Sequence, residues 1–140
     1  MEKNQVEKVA EQIFLVDEQV NAETKKNNKK MRCLRCNSLV LEMDVAVYRE
    51  NESPIEIPSM KKKQDLVMNS KSNDAIIISE SSSRFWLLND MLQFENIGFT
   101  NTVDKKKYLI CADCEIGPLG FQNLDKPNEF LVCVERVRYC

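Results

Sequence analysis

Two Cys-x-x-Cys pairs, "CLRC" at Cys33 and Cys36 and "CADC" at Cys111 and Cys114, constrain this chain more than any other feature. At that spacing a short turn aims both sulfurs at one ion, so two pairs supply the four thiolates of a closed tetrahedral site. One pair alone would equally suit a thioredoxin-like redox motif. A second pair, with no strand-helix-strand pattern around either, favours one structural Zn2+ held by Cys33, Cys36, Cys111 and Cys114. Such a site has no open coordination position, so it is scaffolding rather than a hydrolytic centre. The 74 residues between Cys36 and Cys111 exceed the roughly 15 to 20 of a simple zinc ribbon. The ion must therefore clip strands far apart in sequence, and closing so large a loop makes stability depend on the metal.

The remaining chemistry narrows quickly. The chain has no histidine, which removes a Ser-His-Asp triad, a Cys-His nucleophile pair, an HExxH metalloprotease and any mixed Cys/His zinc site. Its 140 residues, 43% of them hydrophobic, suffice for one compact domain. A net charge of -2 gives no overall positive field to gather phosphate backbones, so a nucleic-acid partner is not expected. The start, MEKNQVEKVAEQ, lacks the apolar run of a secretory signal, and no segment nears eighteen consecutive apolar residues. A cytosolic monomer that does not insert into membranes is expected, with its thiols reduced. Cys133 and Cys140 lie outside the knuckle spacing and read as a buried strand thiol and a free terminal thiol.

Residues 1–30 stand apart. Val6, Val9, Ile13, Val16 and Val20 recur at alternating spacings of three and four, which predicts an N-terminal amphipathic helix, and KKNNKKMR after it reads as a solvated linker. From Leu39 the period changes to two. LVLEMDVAVYRE places Leu41, Met43, Val45 and Val47 on one face of a strand, and KYLIC at 107–111 and EFLVCVERV at 129–137 are strands by the same pattern. The expected domain, residues 31–140, is mainly β. Asn51, Ser53, Pro54 and Pro58 are expected to break the chain after the first strand, and residues 61–83 to form a long mobile loop, with room for one short strand.

A second constellation, FWLLNDMLQFENIGFT at 85–100, mixes aromatic and aliphatic anchors with Asp90, Glu95 and Asn96 and follows no clean period. Phe85, Trp86, Leu88 and Phe99 suit a core. The segment from Asp90 to Asn96 suits an interface, where apolar anchors exclude water and a few carboxylates and amides fix orientation.

"IPSMKKK", "FENIGFT" and above all "YLICADCEIGPLGF", together with the earlier Cys-x-x-Cys and the closing "VERV", resemble the Rab-interacting factor family, the mammalian suppressor of the sec-four mutation. The resemblance spans roughly residues 31–137 and leaves out the N-terminal helix and much of the Ser-rich loop. It implies a zinc-clipped β-tent of folded-over antiparallel sheets, with one structural zinc on Cys33, Cys36, Cys111 and Cys114. It implies binding to nucleotide-free exocytic Rab GTPases, promotion of GDP release and chaperoning of the empty Rab in vesicular transport. Carried over by position, the Rab-facing residues are Asp90, Met91, Phe94, Glu95, Asn96 and Asp113, and Leu92 and Glu115 are expected to join them as partner-binding residues. Leu92 stands where relatives more often carry an aromatic residue, so one anchor is smaller here, and Glu115 equally suits support of the knuckle.

No bond need be broken by such a protein. A factor that prefers the empty GTPase weakens nucleotide binding by linkage. The runner-up is a methionine sulfoxide reductase of the B type on a similar fold, with Cys133 as its thiol. The sequence opposes it, because "LVCVERV" lacks that family's nucleophile pattern and no histidine is present to serve as proton donor.

Overall fold

The computed structural model describes residues 16–62, 79–100, 102 and 105–140. Its principal element is a six-stranded antiparallel sheet. In chain order its strands are β3 (Val47–Pro58), β5 (Ser79–Leu88), β6 (Gly98–Phe99), β7 (Lys106–Ile110), β9 (Gly120–Asn123) and β10 (Phe130–Cys133), arranged β3-β5-β10-β9-β7-β6. A three-stranded sheet, β11-β1-β2, is built from Val137–Tyr139, Met31–Cys33 and Leu39–Leu41, and β4 (Lys61–Lys62) pairs with β8 (Ile116–Gly117). The fold is thus mainly β with antiparallel sheets, as the period of two predicts.

Alternation along the central strands explains why two cores form. On β5, Trp86 and Leu88 face one side and Phe85 the other; on β10, Phe130 and Val132 oppose Leu131 and Cys133. The first side packs against Met31, Cys33, Val40, Leu41 and Val137 of the small sheet, making the larger core. The second gathers Ile57, Phe85, Phe121, Leu131 and Cys133. Trp86 also ties the two sheets through a polar chain: its indole N–H donates to Tyr139 Oη (2.9 Å), whose hydroxyl donates to the Val134 carbonyl (2.8 Å). Strands β9 and β10 approach so closely that a Cβ at Gly120 would collide with the Leu131 carbonyl oxygen.

Several expectations need correction. The strand predicted over 39–50 is broken at Asp44, whose φ of 64° is left-handed, so Met43 is exposed and Ala46 rather than Val45 enters the core. After that break, β3 runs through Asn51, Ser53 and Pro54, where the sequence suggests an interruption. It can because β3 is an edge strand and its register shifts between Glu50 and Ile55, which absorbs the proline. Of the loop expected at 61–83, Lys61–Lys62 and Ser79–Ser83 are strand, and residues 63–78 lie outside the described residues. The serines pair with β3 through the backbone, and two of them are also bonded to it by side chain: Ser79 and Ser81 each donate to the Glu56 carboxylate at 2.8 Å, which holds that carboxyl below its ordinary value.

The predicted N-terminal helix falls largely outside the described residues. What is described is one helical turn, α1 (Val16–Gln19), after which Val20 leaves the helical stripe to bridge Asn27. Nor is the KKNNKK stretch simply solvated. Asn27 is buried, and its side chain donates to the carbonyls of Lys29 (2.9 Å) and Glu42 (2.8 Å) while accepting from the amides of Val45 (2.9 Å) and Ala46 (2.8 Å). One amide thereby fills its full hydrogen-bonding capacity and fastens the segment to the turn before β3.

Candidate metal centre and partner face

Both knuckles are built by the same backbone turn. In the first, the Cys33 amide donates to the Ser38 carbonyl (2.9 Å) and the Asn37 amide to the Cys33 carbonyl (3.0 Å). In the second, Cys111 donates to Ile116 (3.1 Å) and Glu115 to Cys111 (2.8 Å). Each turn closes on a left-handed residue just after its second cysteine, Asn37 at φ 65° and Glu115 at φ 62°. Asn adopts that conformation readily, whereas Glu is held there by the turn. Glu115 is therefore part of the knuckle backbone, with its side chain exposed.

The turns face each other. Cys33 Sγ lies 3.7 Å from Cys114 Sγ, Cys36 Sγ lies 3.6 Å from Cys111 Sγ, and all four sulfurs fall within 4.8 Å of one another. An ion with metal–sulfur bonds of about 2.3 Å at the centre of a tetrahedron separates its sulfurs by about 3.8 Å, so these residues fit one tetrahedral ion. All six cysteines are free thiols. Burial raises the Cys33 and Cys114 thiols, the latter to about 12. A bound cation would reverse the upward shifts, because it stabilises each thiolate directly.

The segment from Asp90 to Asn96 reaches the second knuckle at its last residue, Asn96. Asp90 caps a 3-10 turn (Met91–Gln93), its carboxylate accepting from the Leu92 amide at 2.9 Å, while Gln93 Oε1 accepts back from the Asp90 amide at 3.2 Å. This small capping box holds Met91 and Leu92 outward, at 50% and 83% exposure. Glu95 is exposed, and its amide donates to the Val40 carbonyl at 2.8 Å. Asn96 donates to Cys111 Sγ (3.3 Å) and accepts from the Ala112 amide (2.8 Å), bracing the knuckle. Phe94, expected at the partner face, is instead buried, its ring 6.2 Å from Phe130 in an edge-on contact.

Asp113 is exposed in the middle of the second knuckle and accepts a 2.5 Å hydrogen bond from Ser38 Oγ of the first. Of the sequence-predicted residues, Asp90, Met91, Leu92, Glu95, Asp113 and Glu115 are thus exposed, and Asn96 links the segment that carries the first four to the knuckle that carries the last two. Ser38 was missed; a serine two residues past a knuckle cysteine carries no signal of its own until the second knuckle is placed beside it.

Two other features carry no such chemistry. Cys133 is fully buried and desolvation pushes its thiol up to about 12, the opposite of what a thiolate nucleophile needs, so the sulfoxide reductase reading loses its residue. A cleft of about 440 Å³ lined by Met60, Glu80, Ser82, Glu135 and Arg136 lies elsewhere. There the Arg136 guanidinium is spent on the carbonyls of Pro58 (2.8 Å) and Pro118 (2.9 Å) and on Glu80 (2.8 Å). Among the described residues, no helix is long and apolar enough to cross a membrane.

The comparisons with known proteins agree with this geometry. The family described as "Mss4 protein" matches residues 26–139, which include both knuckles and the Asp90–Asn96 segment. A "Guanine nucleotide exchange factor MSS4 homolog" of Drosophila melanogaster is 42% identical over 106 residues, covering 76% of this chain and 80% of that protein. The homolog of the same description in Schizosaccharomyces pombe (strain 972 / ATCC 24843) is 43% identical over 49 residues, covering 34% of this chain and 48% of its own length. The match runs across most of the sequence and takes in every residue of the four-cysteine cluster, and on that ground the chain belongs to the Mss4 protein family.

Proposed function

We propose that this protein is a guanine nucleotide exchange factor and chaperone for exocytic Rab-family small GTPases, acting in the cytosol in vesicular transport. It binds the nucleotide-free GTPase, promotes GDP release and stabilises the empty form, as a regulator with no bond-breaking chemistry of its own. Family membership supports the exchange activity, since both relatives carry that description. The observation that carries the reading is the capped turn at Met91–Gln93. A folded domain has little reason to fix a methionine and a leucine in solvent with a reciprocal cap unless something covers them.

The ion we assign to the four cysteines is one Zn2+. A soft, closed, all-thiolate cage suits it, and when bound it supplies a rigid clip and no reactive position. The protein's own residues do the rest. Met91 and Leu92 provide apolar anchors against the GTPase, while Asp90, Glu95, Asp113 and Glu115 present negative charge where phosphate and magnesium contacts are otherwise made. Preference for the empty form then weakens GDP binding by the same factor.

The test is complex formation between the purified protein and a panel of secretory Rab GTPases, with nucleotide stripped by chelation or with excess GDP and magnesium. Binding to the stripped form alone, reversed by GDP or GTP, is expected. Equal binding in both states, or binding in neither, would reject the proposal. Asp113→Asn tests the electrostatic part, which fails if this variant binds the stripped GTPase and releases GDP as well as the wild type.

A further inference from the structure

The two knuckles share one backbone turn but not one set of side chains. Counting from each first cysteine, the third position holds Arg35 in one turn and Asp113 in the other, and the sixth holds Ser38 and Ile116. The counterpart of the Ser38–Asp113 contact would pair Arg35 with Ile116, which offers no hydrogen-bonding side chain. The polar link across the metal cluster is therefore one-sided.

Ser38 is well placed to act as its fixed end. Its carbonyl accepts from the Cys33 amide (2.9 Å), its Oγ lies 3.3 Å from Cys36 Sγ, and it is partly buried. Asp113, by contrast, is exposed on a turn where an unrestrained carboxylate would sample several rotamers. A hydroxyl has one proton to give, and Ser38 gives it to Asp113 Oδ2 at 2.5 Å. Among the described residues the Asp113 carboxylate has no other hydrogen bond, so Ser38 alone sets its direction.

We propose that Ser38 is a positioning residue for partner binding: its hydroxyl pre-orients the Asp113 carboxylate toward the nucleotide-free GTPase. The inference rests on the reading above, in which Asp113 faces the GTPase. Pre-orientation matters because a side chain already held in its bound rotamer loses less freedom when the complex forms. A brace that only joined the knuckles would act differently: its loss would lower metal affinity and melting temperature and leave binding by the zinc-loaded protein unchanged.

The experiment compares the zinc-loaded full chain with its Ser38→Ala, Ser38→Thr, Asp113→Ala and Ser38→Ala/Asp113→Ala variants. Zinc content, melting temperature and the dissociation constant for a nucleotide-stripped Rab are measured on each. Ser38→Ala is expected to weaken binding about tenfold with one zinc per chain retained, and Ser38→Thr, which keeps the hydroxyl, to stay within about twofold of wild type. In the Asp113→Ala background, Ser38→Ala should cost nothing more. Undiminished binding by Ser38→Ala, an equal loss in both backgrounds, or a loss cured by saturating zinc would each overturn the proposal. If the wild type does not bind the stripped GTPase at all, the underlying functional reading fails and Ser38 has nothing to position.

Discussion

The small sheet and the large sheet of this protein are stabilised by different means. In the six-stranded sheet, β5 and β10 bury Phe85, Trp86, Leu131 and Val132 on alternating faces, and cross-strand packing suffices to define the register. In the three-stranded sheet every strand is three residues long, too short to specify itself. There the order comes from outside the strands: from the four-cysteine cluster at one end, the Asn27 amide at another and the Tyr139 link to Trp86. The difference is that the small sheet depends on contacts made beyond its own strands, whereas the large sheet carries its order within them.

Removing the metal should break that contrast most visibly. Structural zinc contributes an apparent binding energy of roughly 10–16 kcal/mol in small peptide hosts, and a domain with its own core should lose a smaller but still dominant share. Chelation is expected to abolish amide-exchange protection at Cys33, Cys111 and their neighbours before it does so in β5 and β10. Simultaneous loss in both sheets would show that the two are not separable.

Asn27→Ala comes next. It strands two carbonyls and two amides in a buried place and should cost about 3 kcal/mol in urea unfolding of the zinc-loaded protein. A cost under about 1 kcal/mol would mean that water replaces the amide without penalty.

At the proposed partner face the expected sign is reversed. Met91→Ala and Leu92→Ala remove exposed side chains, so stability should change by no more than about 0.5 kcal/mol while binding to the stripped GTPase falls by about 2 kcal/mol. If stability fell and binding did not, the turn would belong to the core.

Read over a single pH unit, the smallest effect is that of pH. The Cys133 thiol is raised by burial from its ordinary value of 9.0 to about 12. Its contribution to stability is therefore complete below pH 9 and is lost as pH rises toward 12, by at most about 1.4 kcal/mol per pH unit. Cys133→Ala should flatten the stability of the zinc-loaded protein between pH 9 and 10; an unchanged slope would place the titration elsewhere.

How far the molecule was legible in its sequence follows the same division. The cysteine cluster was readable because ligand spacing is a local constraint, and β7 and β10 because branched and aromatic residues concentrate there. Asn27 was not, since a buried amide inside a lysine-rich run has no local signature; three of its four partners lie 15 to 19 residues away. The Ser79–Ser83 strand and the passage of β3 through Pro54 depend on each other as neighbours, and composition hid both. The burial of Phe94 was not legible, because a periodless segment does not say which of its anchors turns inward.

The most direct test of the account is the affinity of a Rab GTPase for GDP with and without saturating zinc-loaded protein. If the metal-clipped face prefers the empty GTPase, the GDP dissociation constant should rise by the ratio of this protein's affinities for the empty and GDP-bound forms. A GDP dissociation constant that does not move, with this protein bound, would contradict the claim that the face acts by excluding nucleotide.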